Sequence, residues 1–212
     1  MNLMLVKICG IKSIETLFCC ENNRVNYFGM IFYEKSPRNI SYEDAKILQG
    51  NSKKLKIEGV GVFVNKELKD IQKYINDLDL KIIQLHGDED NEYINHLKKL
   101  KTKVIKKISI RDNADLKKLN KYSKADFFLF DYKPEVNELP GGNAKSFDWD
   151  VLKNLRTNKP WFLSGGVNIT NIKYIKSKIN PFGVDLSSSL EKELGIKDNQ
   201  IINNFMDEIY NA

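Results

Sequence analysis

The sequence has no hydrophobic run long enough to cross a bilayer, and its first residues, MNLMLVKICG, lack the basic leader and long apolar stretch of a signal peptide. Cysteine is also scarce. Of the three cysteines, Cys19 and Cys20 are adjacent, and the set has the spacing of neither a disulfide framework nor a zinc site. These absences predict a cytoplasmic protein with free thiols, no membrane contact and no bound metal.

Arginine is scarce too, so the net charge of +6 rests mainly on lysine, with 34 basic residues against 28 acidic ones. The lysines are scattered through helical stretches such as HLKKLKTK and DLKKLNKYSK, which is typical of solvated helix faces. Nucleic-acid-binding surfaces instead concentrate positive charge in a patch or stripe on one face. The composition therefore predicts no nucleic-acid partner, and the mild positive balance fits an anionic small molecule equally well.

The length and the hydrophobic content of 42% are enough for one domain with a substantial core, so we expect a single domain over residues 1–212. Apolar, β-branched segments alternate with polar segments whose apolar residues return every three or four positions. The apolar segments predict eight strands, at 3–9, 25–32, 58–64, 80–86, 102–110, 125–131, 160–165 and 182–188.

Helices fit the gaps between these strands, as shown by an apolar stripe at Leu68, Ile71, Ile75 and Leu78 and by another within 201–209. Strands that are hydrophobic throughout and separated by helices indicate a parallel sheet covered by helices. Eight such units predict a closed (β/α)8 barrel, although the chain is shorter than the typical ~250 residues. An open doubly wound sheet is the alternative, but it needs fewer strands, and no G-x-G-x-x-G follows the first one.

In such a barrel the chemistry lies at the C-terminal ends of the strands. The seventh strand ends at Gly165 and Gly166, followed by Asn168 and a predicted helix, and this arrangement exposes backbone N–H groups that attract phosphate. Three serines at 187–189 follow strand eight and add further donors. The alternative is a tight turn followed by serines that cap a short helix.

Two further polar residues follow strands two and four. Arg38 comes after Pro37, where a planar, always-charged guanidinium suits a substrate carboxylate, and the alternative is a surface arginine. His86 closes strand four and either lines the pocket or is a hydrogen-bonded structural imidazole. The other histidine, His96, lies in a lysine-rich helical segment and is predicted to face solvent.

Asp131 and Cys9 are the candidate acid and base. Asp131 ends the apolar run FFLFD, where a desolvated carboxylic acid can stay protonated and act as a general acid; its alternative role is capping or salt-bridging in the next loop. Cys9 ends strand one, and a thiol serves in proton transfer only if neighbours such as Lys7 tune its ionisation. The alternative for Cys9 is a small buried hydrophobe.

Several of these segments together resemble the phosphoribosylanthranilate isomerase family of the tryptophan pathway, in order and spacing, over nearly the whole chain. They are KICGI, SPR, VGVFVN, IQLHGDE, FFLFD, GGNAKSFDW, SGGV and GVDLSSSLE followed by GIKD. The resemblance implies an Amadori rearrangement of N-(5-phosphoribosyl)anthranilate to 1-(2-carboxyphenylamino)-1-deoxyribulose 5-phosphate. It implies a small phosphorylated anionic substrate and a monomer or weak homodimer. It implies no metal and no cofactor.

The resemblance also assigns roles to residues. Asp131 would protonate the furanose ring oxygen and open the ring to a Schiff base, and Cys9 would then remove the proton from sugar C2. Arg38 would hold the anthranilate carboxylate, while glycines and serines after strands seven and eight would hold the phosphate. The substrate-binding positions are Arg38, His86, Gly142, Gly165, Gly166, Asp185, Ser187 and Ser188.

The chain departs from the family pattern at three places. The family reads Gly-Gly-Thr-Gly where this chain has Gly-Gly followed by Asn143 and Ala144, and it carries glycine where this chain has Ser189. Lys12 stands where the family often has threonine or serine. We expect these changes to affect phosphate affinity and loop closure rather than the chemical steps.

Two alternative functions remain at this point. A bifunctional phosphoribosyl isomerase that also acts in histidine synthesis would need paired aspartates at strand ends one and five, where this chain has Cys9 and the segment KKISI. A non-catalytic phosphosugar-binding barrel is compatible with Ala144 and Ser189, but the presence of both Cys9 and Asp131 favours an enzyme.

Overall fold

Eight parallel strands close into a barrel in the order of the chain, with the last strand paired to the first. The computed structural model describes residues 4–135, 137–142 and 145–211, so Leu3, at the start of the first predicted strand, lies outside the described residues, as do Asn143 and Ala144. The (β/α)8 prediction is confirmed. The strands are β1 Leu5–Cys9, β2 Tyr27–Ile31, β3 Glu58–Phe63, β4 Ile82–Leu85, β5 Lys103–Ile110, β6 Phe127–Tyr132, β7 Trp161–Leu163 and β8 Gly183–Leu186.

The connections surround the barrel, and most of them are α-helical as predicted. The helices are α1 Ile14–Asn22, α2 Tyr42–Ser52, α3 Leu68–Leu78, α4 Asn91–Lys99, α5 Ile172–Tyr174, which continues as a π-helical turn over Ile175–Ile179, and α6 Asn199–Asn211. The predicted apolar stripe of α3 is buried at Ile71, Ile75 and Leu78. None of the described helices is long and apolar enough to cross a membrane.

The connections after β5 and β6 differ from this pattern because they are 3₁₀ helices, at Asn113–Tyr122 and Trp149–Asn154. In the first of them Leu116, Leu119 and Tyr122 pack on the core at intervals of three residues. That interval matches the three residues per turn of a 3₁₀ helix, and an α-helix would rotate these side chains progressively off the core.

The strands separate two apolar layers, because successive side chains of a strand point to opposite faces. One cluster fills the barrel interior and contains Cys9, Val60, Val62, Ile82, Ile105, Leu129 and Phe162. The larger cluster lies between strands and helices, and its members from the strands include Ile8, Phe130 and Val184. Lys7, Asp131 and Asp185 are sequence neighbours of these outward residues, so they point into the barrel.

An antiparallel hairpin that the sequence pattern did not predict follows β8. A 3₁₀ turn at Ser188–Leu190 leads into β9 Glu191–Glu193 and β10 Ile196–Lys197. The hairpin turns at Gly195, where φ is +81° and an added Cβ would lie 2.5 Å from the backbone oxygen of Pro37. The hairpin is therefore packed closely against the loop that carries Arg38.

Candidate active site

Side chains and turns at the carboxyl end of the barrel line two adjoining cavities. Predicted site residues in the first cavity are Cys9, Arg38, His86, Asp131, Gly142, Asp185 and Ser187. The second cavity shares Asp131, Gly142, Asp185 and Ser187 with the first and adds Gly165, Gly166, Ser188 and also Ser189. The structure therefore brings together every residue that the sequence assigned to the site.

Cys9 ends β1 and is only 6% exposed. Its register partner in β2 is Gly29, where an added Cβ would lie 2.7 Å from the Cys9 sulfur, so a glycine is needed there to make room for the thiol. Burial raises the pKa of the Cys9 thiol, while the positive charges of Lys7 and Lys197 oppose that rise. The thiol thus lies in a pocket that is apolar but has lysine charge close by.

Lys7 lies two residues before Cys9 on the same face of β1, and its Nζ donates to both carboxylate oxygens of Asp185, at 2.9 and 3.0 Å. The two residues are register partners across the β1–β8 pairing. Burial opposes the charge on Lys7, but the Asp185 carboxylate raises the Lys7 pKa above its ordinary value. Asp185 lines both cavities, yet both of its oxygens already accept from Lys7.

Asp131 and His86 meet at the end of β6. Asp131 Oδ1 accepts from the backbone N–H of Tyr132 at 2.9 Å, and Oδ2 lies 3.5 Å from His86 Nε2. The Pro140 carbonyl, 3.1 Å from His86 Nε2, can only accept, so Nε2 carries the proton and Nδ1 is left to accept from Gln84 Nε2 at 3.0 Å. Burial lowers the His86 pKa and keeps the ring neutral. His86 both lines the pocket and is hydrogen-bonded at both nitrogens.

Arg38 is 2% exposed, which excludes the surface alternative. Its Nε and Nη2 donate to the two carboxylate oxygens of Glu191, at 2.7 and 2.9 Å. Its third nitrogen, Nη1, lies beside the glycine loop, since a Cβ added to Gly142 would be 2.4 Å from it. One edge of the guanidinium is therefore paired within the protein, and the Nη1 edge borders the cavity.

The turn after β7 differs in detail from the predicted helix N-terminus. The backbone N–H of Asn168 donates to the Asn171 side chain at 2.9 Å, and α5 has only three residues. By contrast, no residue in the described part of the chain accepts from the backbone N–H groups of Gly165 and Gly166. In the turn after β7, the donors that remain for an anion are thus the N–H groups of Gly165 and Gly166.

Sequence reasoning missed two charged residues that touch this site, Glu191 and Lys197. Lys197 Nζ donates to Glu191 at 2.6 Å and to the backbone oxygen of Ser187 at 3.1 Å. Both residues lie in the quoted segments GVDLSSSLE and GIKD, but the segments alone do not show that they meet. Among the described residues, no group of three or more His, Cys, Asp or Glu side chains is placed to hold a metal ion.

Comparison with known proteins gives a consistent result. The family model described as N-(5'phosphoribosyl)anthranilate (PRA) isomerase matches residues 6–208. The N-(5'-phosphoribosyl)anthranilate isomerase of Rhizobium rhizogenes is 39% identical over 98% of this chain and 94% of its own. The crystal structure of phosphoribosyl anthranilate isomerase from Thermotoga maritima has a TM-score of 0.89 at 31% identity, covering 99% of this chain and 100% of that one. A structure of such an isomerase with reduced 1-(o-carboxyphenylamino)-1-deoxyribulose 5-phosphate has a TM-score of 0.84 at 29% identity, with the same coverage.

Proposed function

The chain belongs to the phosphoribosylanthranilate isomerase family and is an isomerase of tryptophan biosynthesis, and we propose that Cys9 and Asp131 are its catalytic base and acid. The observation that carries this assignment is that the thiol and the carboxyl group, 122 residues apart in sequence (131 − 9), line one cavity at the carboxyl end of the barrel. The reaction is an Amadori rearrangement of a phosphoribosylated aromatic amine, and it needs one proton donor and one proton acceptor.

In the first step Asp131 gives a proton to the furanose ring oxygen, the C1–O bond breaks, and a Schiff base forms between C1 and the anthranilate nitrogen. This role is supported by the position of Asp131, which lines the first cavity together with His86 and Gly141, with Oδ2 3.5 Å from His86 Nε2. Oδ1 already accepts from the Tyr132 N–H, so Oδ2 is the oxygen left to deliver a proton to the substrate.

In the second step the Cys9 thiolate removes the proton from sugar C2, and the electron pair moves toward the positive Schiff-base nitrogen to give an enolamine. The enolamine then tautomerises to the ketone. The buried thiol ionises with difficulty, but a thiolate in an apolar pocket is a strong base, and the nearby Lys7 ammonium stabilises its negative charge.

The two cavities suit the two ends of the substrate. Apolar side chains, among them Ile31, Val62 and Leu139, line the first cavity, which is suited to the aromatic ring, and the Nη1 edge of Arg38 would hold the ring carboxylate. Glycines and serines line the second cavity, where backbone N–H groups and hydroxyls would hold the phosphate. Ser189, which replaces a family glycine, lines this cavity, whereas Asn143 and Ala144 lie outside the described residues.

Turnover of freshly made phosphoribosylanthranilate, followed by the loss of its fluorescence, tests these roles. Cys9→Ser and Asp131→Asn should each lower kcat by about 10²–10⁴-fold, because each removes one proton-transfer group. Cys19→Ser, a half-buried cysteine on α1, is the matched control and should keep wild-type turnover. Near-normal kcat in either active-site variant would remove that residue from the mechanism, and intact phosphate binding without any turnover by the unmodified protein would favour a non-catalytic barrel.

The single domain over 1–212 and the monomer or weak homodimer stay predictions. A related enzyme from Thermotoga maritima is described as dimeric.

A further inference from the structure

Glu191 and Lys197 lie directly behind the Arg38 guanidinium and form a buried charged cluster with it. The Glu191 side chain is 5% exposed. Its Oε1 accepts from Arg38 Nε at 2.7 Å and Lys197 Nζ at 2.6 Å, and its Oε2 accepts from Arg38 Nη2 at 2.9 Å and the Gly195 N–H at 3.1 Å. Burial favours the protonated acid, but Arg38 and Lys197 outweigh it and lower the Glu191 pKa to about 2, so the carboxylate is ionised.

This pairing determines which edge of Arg38 can meet a ligand. A guanidinium has five N–H donors in a fixed plane, and Glu191 uses Nε–H together with one hydrogen of Nη2. The remaining bidentate edge consists of Nη1 and the other hydrogen of Nη2. Within the described ranges no residue accepts from Nη1, and this nitrogen lies beside Gly142 at the cavity.

The same cluster is tied to the other parts of the site. Lys197 Nζ donates to the backbone oxygen and the hydroxyl of Ser187, at 3.1 and 3.2 Å, and the Ser187 hydroxyl donates to the Cys9 carbonyl at 3.0 Å. The charges of Arg38, Lys197 and Glu191 sum to one positive unit. That sum matches a single carboxylate on the ligand.

We propose that Glu191 is a positioning residue that holds the Nη1 edge of Arg38 toward the cavity and so gives the enzyme its selectivity for a carboxylate on the aromatic ring of its substrate. This role rests on the proposed function of Arg38. Glu191 acts through Arg38 and touches neither the substrate nor the reacting atoms.

Glu191→Gln tests the role because an amide has only one acceptor oxygen, and its NH₂ group would face the N–H groups of Arg38. We expect KM to rise about tenfold while kcat changes by less than about twofold, the pattern for loss of binding that the ground and transition states share. Glu193→Gln, an exposed glutamate on the same strand, is the matched control and should leave both constants unchanged.

Two competitive ligands distinguish positioning from general support of the fold. They are reduced 1-(o-carboxyphenylamino)-1-deoxyribulose 5-phosphate and the same compound without its carboxylate. Glu191→Gln should weaken the first about tenfold and the second less than about twofold. Equal losses for both ligands, or no loss for either, would overturn the role of Glu191.

Arg38→Met separates this proposal from the function on which it rests. If Arg38→Met discriminates between the two ligands and Glu191→Gln does not, only the role of Glu191 fails. If Arg38→Met weakens both ligands equally, the carboxylate-binding role of Arg38 fails as well.

If Glu191→Gln does not fold, Glu191→Asp replaces it, because it keeps both acceptors on a shorter side chain. A loss confined to the ligand with the carboxylate supports the proposal, and any other result overturns it.

Discussion

Lys7 and Lys106 form two chemically similar ion pairs on opposite faces of the barrel wall. Each ammonium is fully buried and lies 2.9 Å from a carboxylate oxygen, of Asp185 in the first pair and of Glu89 in the second. Lys7 points into the barrel below Cys9, whereas Lys106 points toward the helices. A buried ion pair is therefore not by itself a mark of an active site, and the strand face on which it lies decides what it can act on.

The surroundings of Lys106 and Glu89 are those of a structural pair. Lys106 Nζ also donates to the Gly87 carbonyl at 2.6 Å and lies 5.1 Å from the centroid of the Tyr122 ring. Glu89 accepts from the backbone N–H groups of Asn65 at 2.8 Å and Gly87 at 3.1 Å. The pair therefore links the loops after β3 and β4 to β5 through hydrogen bonds. Neither residue lines the two cavities of the active site.

Of the two buried lysines, the larger effect is expected for Lys7→Met, which should reduce both activity and stability. Removing one partner of a buried pair costs about 3–5 kcal/mol of unfolding free energy, because the other charge is left buried without compensation. The thiolate of Cys9 also loses the stabilising charge of Lys7, so kcat per folded molecule should fall about 10²-fold. Turnover assays, divided by the fraction of each variant that is folded, measure kcat per folded molecule. A value for Lys7→Met equal to that of Lys106→Met would remove Lys7 from the chemistry.

Lys106→Met should lower only stability, again by about 3–5 kcal/mol in denaturant unfolding, with kcat per folded molecule within about twofold of wild type. Adding Glu89→Gln should restore part of the loss, since it removes the unpaired charge. Lys98→Met is the control, because its pair with Asp126 at 2.7 Å is partly exposed and should contribute no more than about 1 kcal/mol. A cost for Lys106→Met as small as that of the control would contradict the structural role.

The sequence predicts the strands that carry these lysines better than it predicts their partners. The strand positions and the placement of Cys9 and Asp131 at strand ends follow from runs of apolar, β-branched residues, which are a local property. The partner of Arg38 does not follow, because Glu191 is 153 residues away and sits on a short hairpin with no apolar alternation. The 3₁₀ connections were also missed, since over a short segment a spacing of three also occurs within the i, i+3, i+4 pattern of an α-helix.

The most local effect should be a shift in the titration of one group, Cys9. Its pKa is already raised by burial, and Lys7 works against that rise, so Lys7→Met should raise it further. Because only the thiolate reacts with iodoacetamide, the pH at which modification of Cys9 reaches half its maximal rate should move upward in Lys7→Met. Lys106→Met should leave that midpoint unchanged, because Lys106 points away from the interior. Mass spectrometry identifies modification at Cys9 rather than at Cys19 or Cys20, and the same midpoint in both variants would mean that the charge of Lys7 does not act on the thiol.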